Sequence, residues 1–281
     1  MEKVFVIGAG QMGGGIAQVF AQAGYTVVLN DIKQEFVDRG LANIEKGLAR
    51  RVEKGKMSQE EVDAILAKIT TSTSYDDAKD VDLIIEAATE NEKIKLDIFR
   101  QLDEIAKEDT ILATNTSSLS ITKIGAVTKR PDKVIGLHFF NPVPAMKLIE
   151  LNIGIKTSLT TVEAMKQVSE SLGKEAVEVK DSPGFVVNRV LIPMINEVIF
   201  ILDSGVASAE EIDTAMKLGA SHPMGPLALG DLIGLDTVLA IMNTLYDGYK
   251  DPKYRPAPLL VKYVEAGQLG RKTGQGFFSY E

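Results

Sequence analysis

An imidazole set in an apolar run is the first feature of this sequence that could do chemistry. The chain holds only two histidines. One of them, His138, lies in VIGLHFF, a run that reads as a strand. Asn141-Pro142-Val143-Pro144 ends that strand, because each Pro fixes its own φ and drives the preceding residue into an extended shape. A second strand-like run, KLIELN, follows and carries Glu150. If the two runs pair antiparallel with Phe140 near Leu148, His138 stands opposite Glu150 with Cβ atoms ~5 Å apart. At that distance a carboxylate orients the ring and stabilises its cation. Since free His titrates at ~6.5, such a pair is a general acid/base for neutral pH. The same residues also suit a core histidine beside a strand-end glutamate, because paired groups occur structurally too. The other histidine, His222, sits between Ser221 and Pro223 and reads as a loop residue with no chemistry.

A second constellation opens the chain. VFVIGAG is a short strand ending in Gly8-x-Gly10-x-x-Gly13, and IAQVFAQAG continues at helical spacing to a stop at Gly24. Gly8 permits the tight turn, Gly10 lets backbone approach a pyrophosphate, and Gly13 lets helix and strand pack closely. The helix N-terminus offers N–H groups and partial positive charge to phosphates. TVVLND, the next strand, ends in Asp31, near the ~20-residue offset at which an acid bonds both ribose hydroxyls. Strand, turn, helix and acid together point to a dinucleotide. An acid at that place repels a 2′-phosphate, so NAD is expected over NADP.

Polar groups also cluster where later strands end, the edge at which doubly wound sheets bind ligands. VDLIIEAA stops at Thr89-Glu90-Asn91, and a helix over 92–106 carries Lys95 in its first turn, where a cation opposes the helix dipole and needs another partner. TILATN stops at Asn115-Thr116-Ser117-Ser118, whose amide and hydroxyls suit a substrate oxygen and equally a helix cap. A long helix over 32–56 and another over 59–68 form a helix–turn–helix insertion, for an ordinary βαβ unit would return to the sheet sooner. Its turn gathers Arg50, Arg51, Lys54 and Lys56 with one glutamate between them. Such a run reads as a solvated basic face, or as a grip on a phosphate-bearing substrate handle.

The elements that must hold these groups follow from the rest of the pattern. TTSTS is a further strand, residues 158–172 a helix, and EAVEVK a last strand. Asp181-Ser182-Pro183-Gly184 marks a boundary, with Ser182 suited to an N-cap and Pro183 to a first turn. The expected division is residues 1–183, an α/β domain with a doubly wound, Rossmann-type sheet, and residues 184–281, a smaller all-α domain. The first helix of the second domain, FVVNRVLIPMINEVIFILDSG, is apolar on nearly all sides and needs burial in a core or subunit interface. Three more helical stretches follow, among them LALGDLIGLDTVLAIMNTLYDGY read as one. GRKTGQGFFSY is too aromatic for a free end and is expected to dock near the cofactor.

Bulk composition excludes some classes. A net charge of −8 over 281 residues argues against general nucleic-acid binding. With no cysteine there is no disulfide frame, thiolate nucleophile or thiolate metal site, and no metal is expected. Glycines interrupt the first apolar run before it could serve as a secretory signal, and no run approaches the ~18 apolar residues of a membrane span. A cytoplasmic enzyme or binding protein fits.

VIGAGQMGGGIA, ATNTSSLSI, GLHFFNPVPAMKLIEL, DSPGFVVNR, AMKLGASHPMGP and GRKTGQGFF together resemble the 3-hydroxyacyl-coenzyme A dehydrogenases, over essentially the whole chain. The resemblance implies reversible hydride transfer between NAD and C3 of a 3-hydroxyacyl-CoA such as 3-hydroxybutyryl-CoA, with (S) stereochemistry. It implies His138 as acid/base and Glu150 as its orienting partner, with Ser117 and Asn188 at the substrate oxygen. It puts cofactor contacts on Gly8, Gly10, Gln11, Met12, Gly13, Asp31, Glu90, Lys95, Ser117, Asn141 and Lys272. Coenzyme A would be gripped by Lys54, with Arg50 and Arg51 nearby and Ser117 at the acyl end. Gly47 stands where the family has a serine on that helix, so that one coenzyme A contact does not carry over from the resemblance. The apolar second domain suggests a homodimer. Two other functions use the same scaffold. A dehydrogenase of a free 3-hydroxy acid would carry lysine in place of His138 and need no coenzyme A grip. A non-catalytic, crystallin-like dinucleotide binder would not need His138, Glu150, Ser117 and Asn188 together.

Overall fold

VDLIIEAA and VIGLHFF are apolar on both faces, a pattern that needs cover on both sides of a sheet. The computed structural model supplies it. It describes residues 1–280, in two units that divide between Asp181 and Ser182. In the first unit, strands β1 (Lys3–Ile7), β2 (Thr26–Asn30), β3 (Ile69–Ser72), β4 (Leu83–Glu86), β5 (Ile111–Thr114), β6 (Val134–Phe139), β7 (Leu148–Ile153) and β8 (Glu175–Lys180) form one sheet in the order β3-β2-β1-β4-β5-β6-β7-β8. Every neighbouring pair is parallel except β6 and β7. Chain order reverses between β1 and β4, which makes that crevice the ligand-binding switch point. This is the expected doubly wound sheet.

Helices α1 (Gln11–Gln22), α2 (Gln34–Glu53) and α3 (Gln59–Leu66) follow β1 and β2. Val37, Gly40, Ile44 and Leu48 form the buried face of α2, and Val62 and Ile65 that of α3. These apolar side chains join Ile16 and Phe20 of α1 in one core. The turn between α2 and α3 passes Gly55 at φ +62°, and a reciprocal Ser58–Glu61 capping box starts α3. The helix–turn–helix insertion thus packs on α1 as a hairpin, with Arg50, Lys54 and Lys56 exposed at its turn. Helices α4 (Glu92–Ile105), α5 (Ile121–Gly125) and α6 (Leu159–Ser171) complete the unit. The five-residue α5 had no periodic signal. It exists because Asp181, at the end of β8, accepts hydrogen bonds from the Ser120 hydroxyl and the Ile121 and Thr122 amides.

The second unit is helical: α7 (Val187–Asp203), α8 (Ala209–Gly219), α9 (Pro226–Ile233), α10 (Leu235–Tyr249) and α11 (Pro258–Glu265). The stretch read as one long helix is two, bent by 96° between α9 and α10. Gly234 makes the break at φ +101°, which only glycine adopts without strain. Helix α7 buries Ile192, Ile195, Val198 and Ile199, yet Val190 is 68% exposed. The C-terminal tail docks on Asp231 of α9, which accepts hydrogen bonds from the Phe277 and Phe278 amides and the Tyr280 hydroxyl. Burial and that bond push the Tyr280 phenol up to about 12.

One core position is at odds with its surroundings. Asn152 of β7 faces Gly136 of β6, is fully buried, and neither amide atom has a hydrogen-bond partner among the described residues. A buried amide left unmatched costs about 1–3 kcal/mol. Asn152→Val, of similar size, should therefore raise the urea midpoint at unchanged m-value; a lowered midpoint would show that the amide is matched in solution.

Candidate active site

The carboxyl ends of β1, β2, β4, β5 and β6 bring the glycine turn, Asp31, Glu90, Ser117 and His138 to one edge, whereas Arg50, Arg51 and Lys54 lie at the far end of α2. His138 pairs with Glu150 across β6 and β7, the opposition set by placing Phe140 near Leu148. The ring Nδ1 lies 2.8 Å from Glu150 Oε2, with the side chains 7% and 1% exposed. An ionised carboxylate only accepts, so Nδ1–H donates to it and proton exchange falls to Nε2. The neighbouring Phe140 ring packs at 4.5 Å between centroids. Phe139 points the opposite way, is 1% exposed and meets the edge of Phe20.

Ser117 belongs to the loop leaving β5, and Glu90 gathers that loop. One Glu90 oxygen accepts from the Ser117 amide at 2.7 Å, the Thr116 hydroxyl at 2.8 Å, the Ser117 hydroxyl at 3.1 Å and the Ser118 hydroxyl at 3.2 Å. Burial alone would raise the Glu90 carboxyl, but Lys95 and these hydrogen bonds outweigh it and hold it below the usual carboxylate range. Its hold on the loop is therefore present above that range and lost as pH falls through the depressed value.

Lys95 has the partner its position at a helix start demanded, and the partner is a residue that motif reading passed over. Its ammonium, 2% exposed, lies 2.6 and 2.7 Å from the two oxygens of fully buried Glu86 and 3.5 Å from Glu90. Thr114 and the Ala88 amide also donate to Glu86. The signal that could have found it is the one acid inside VDLIIEAA that follows the strand's apolar run, with a lysine nine positions later.

The glycine turn has the shape a dinucleotide needs. A Cβ on Gly13 would lie 1.8 Å from the Gly8 carbonyl oxygen, so only glycine lets α1 approach β1 so closely. Above Gly10 a Cβ would meet nothing within 4 Å, and Gly10 brings no side-chain cap to α1. The amides at the start of α1, on Gln11, Met12 and Gly13, are thus left for an anion. Asp31 accepts from the Ala9 amide at 2.8 Å and the Ile32 amide at 2.7 Å, which ties this carboxylate to the turn. These residues fit NAD.

Arg50 and Lys54 are exposed, and none of Arg50, Arg51, Lys54 and Lys56 forms an ion pair among the described residues. Gly47 is partly buried, its missing Cβ 3.9 Å from Gln18 Oε1. Asn141 is exposed after a strand end closed by a cis Asn141–Pro142 peptide. Asn188 and Lys272 lie in the second unit. Asn188 is in the first turn of α7, and Lys272 is ion-paired with Asp236 at 2.5 and 2.6 Å. His222 sits in the turn between α8 and α9.

Comparisons with known proteins point to one family. The family model for the 3-hydroxyacyl-CoA dehydrogenase NAD-binding domain matches residues 3–182, and that for the C-terminal domain of the same enzymes matches residues 184–280. The 3-hydroxybutyryl-CoA dehydrogenase of Clostridioides difficile is 59% identical over 278 residues, covering 99% of each chain. The human mitochondrial hydroxyacyl-coenzyme A dehydrogenase is 46% identical, covering 100% of this chain and 92% of its own. Among solved structures, the (S)-3-hydroxybutyryl-CoA dehydrogenase of Ralstonia eutropha superposes with a TM-score of 0.97 at 53% identity, covering 100% of this chain and 99% of that one.

Proposed function

Since the chain belongs to the 3-hydroxyacyl-CoA dehydrogenase family, we propose that it interconverts (S)-3-hydroxybutyryl-CoA and acetoacetyl-CoA with NAD. The observation that carries this reading is the buried His138–Glu150 pair, 2.8 Å across two antiparallel strands at the ligand-binding edge of the sheet. The chemistry a bound NAD supplies is acceptance of the C3 hydride. In oxidation, His138 Nε2 takes the hydroxyl proton as the C3–H bond breaks; in reduction it returns that proton. Glu150 stabilises the imidazolium formed on the way. Ser117 and Asn188 donate hydrogen bonds to the C3 oxygen and steady its developing charge.

Asp31 holds the adenosine ribose, and the start of α1 holds the pyrophosphate. Glu90, Lys95, Asn141 and Lys272 are the further cofactor residues in this reading, with Lys95 acting as the buried counter-ion of Glu86 and Glu90. Arg50, Arg51 and Lys54 hold coenzyme A; their lack of ion pairs among the described residues leaves their charge for its phosphates. Initial rates with NADH should be large on acetoacetyl-CoA and negligible on free acetoacetate, and NADH should outperform NADPH in kcat/KM. Reversing Arg50 and Lys54 to glutamate should raise KM for acetoacetyl-CoA and leave that for NADH alone. Equal rates on the free acid, or no NADH oxidation at all, would overturn the reading in favour of the two other functions named above.

We also place the enzyme in the cytoplasm as a homodimer. Val190, Leu218 and Leu232 of the second unit are 68%, 81% and 48% exposed, apolar side chains that a second copy would cover. Light scattering on the eluting peak should give twice the chain mass; a monomer at micromolar concentration would rule the dimer out.

A further inference from the structure

We propose that Asn115 is a positioning residue for His138, acting through the backbone of β6. The proposal rests on the dehydrogenase reading of His138 and adds a residue to which no catalytic task has been given. Strand β6 outruns its parallel neighbour. The β5–β6 ladder ends at Thr114↔Gly136, while β6 continues to Phe139. Beyond that point β5 has turned away into the loop that carries Ser117, and among the described residues no strand remains on that side to accept from β6. A buried amide left there would cost as much as a broken hydrogen bond. The Asn115 side chain replaces the missing strand: its Oδ1 accepts from the Phe139 amide at 2.8 Å.

Asn115 is itself fixed, because its own amide donates to the Glu86 carbonyl at 2.8 Å. One residue thus joins three strand ends, those of β4, β5 and β6, immediately after the ladder stops. The tethered amide belongs to the peptide unit that leaves His138. The other side of β6 at this level is held by β7, whose Glu150 grips the ring. The backbone under the imidazole is therefore fixed from both sides, by a strand on one and by a single side chain on the other. Because Asn115 lies two residues before Ser117, the same tether sets the spacing between His138 and Ser117. Its amide oxygen is engaged inward, on the Phe139 amide, so only its amide nitrogen is left for substrate.

A misplacement of ~1 Å in a reacting group can cost on the order of 100-fold in rate. Asn115→Ala removes the acceptor, and Asn115→Asp keeps an acceptor of the same shape. In the Ala variant, kcat for acetoacetyl-CoA reduction should fall roughly 10- to 100-fold, with KM for NADH and acetoacetyl-CoA within about 2-fold of the wild type. Hydrogen exchange at the Phe139 amide should accelerate in the same protein. In the Asp variant, that amide should stay protected and most of kcat should return. An Ala variant with a deprotected Phe139 amide and normal kcat would overturn the proposal. So would an Ala variant whose Phe139 amide stays protected. Equal losses of kcat in N115A and N115D, with the Phe139 amide still protected in N115D, would overturn it too, by showing that the Asn115 amide nitrogen works on substrate instead. The exchange measurement needs no turnover. An inactive wild type would thus count against the dehydrogenase reading, whereas an active wild type with an indifferent N115A would count against the tether alone.

Discussion

His138→Gln is expected to lose roughly 10²–10⁴ in kcat while still binding NADH, because a positioned acid/base contributes about that much to a proton transfer. The loss corresponds to ~3–5 kcal/mol of transition-state stabilisation. Glutamine keeps a hydrogen-bonding group near Glu150, so the buried carboxylate is not abandoned and the fold should survive. The glycine turn and Asp31, proposed to hold the cofactor, lie at the ends of other strands and should be unaffected. Fluorescence titration with NADH and steady-state rates with acetoacetyl-CoA separate the two effects. An unchanged dissociation constant with a collapsed kcat is the expected pair of results. Near-normal kcat would remove His138 from the mechanism. Glu150→Gln should act in the same direction, since a neutral amide neither stabilises the imidazolium nor fixes the tautomer.

Lys95→Met should be the most destabilising single change near the site. Its ammonium is 2% exposed and both of its carboxylate partners depend on it, Glu86 fully buried and Glu90 at the rim. Removing one member of such a pair leaves an uncompensated buried charge, at about 3–5 kcal/mol. Glu86→Gln combined with Lys95→Met removes the fully buried charge, keeps one acceptor oxygen for the Ala88 amide and offers its NH2 to the Thr114 hydroxyl. Urea unfolding should therefore show the double variant more stable than Lys95→Met alone, a non-additivity expected of directly contacting groups. Additive losses would mean that the two side chains do not act as a pair. Without Lys95, only the loop's hydrogen bonds oppose burial at Glu90, so the carboxylate that gathers the Ser117 loop should protonate at higher pH than in the wild type.

How far these features could be read from sequence depended on whether their spacing was local. The glycine turn and Asp31 were legible because a strand, a tight turn and a helix N-terminus must follow one another at short, fixed offsets. The opposition of His138 and Glu150 was legible because strand periodicity is 2 and the proline-rich break left one natural register. The doubly wound sheet followed from continuous apolar strands alternating with helical periods. The Glu86–Lys95 pair was only half legible: the dipole argument showed that Lys95 needed a partner, but nothing local indicated which acid would meet it. The Asn115 tether depends on where one ladder stops relative to its neighbour, and pattern does not give strand ends to that accuracy. The break at Gly234 was missed because apolar spacing runs through it without interruption. Asp181 and Asp231 organise a short helix and the C-terminal tail from 59 or more and 46 or more positions away, beyond any window of sequence.

The most direct test of the central claim is a crystal structure of the enzyme with NAD and a non-reacting 3-hydroxyacyl-CoA analogue. The account predicts His138 Nε2 within ~2.6–3.2 Å of the C3 oxygen, with Nδ1 still on Glu150. A C3 oxygen met by some other titrating side chain, with the imidazole turned away from it, would contradict the account.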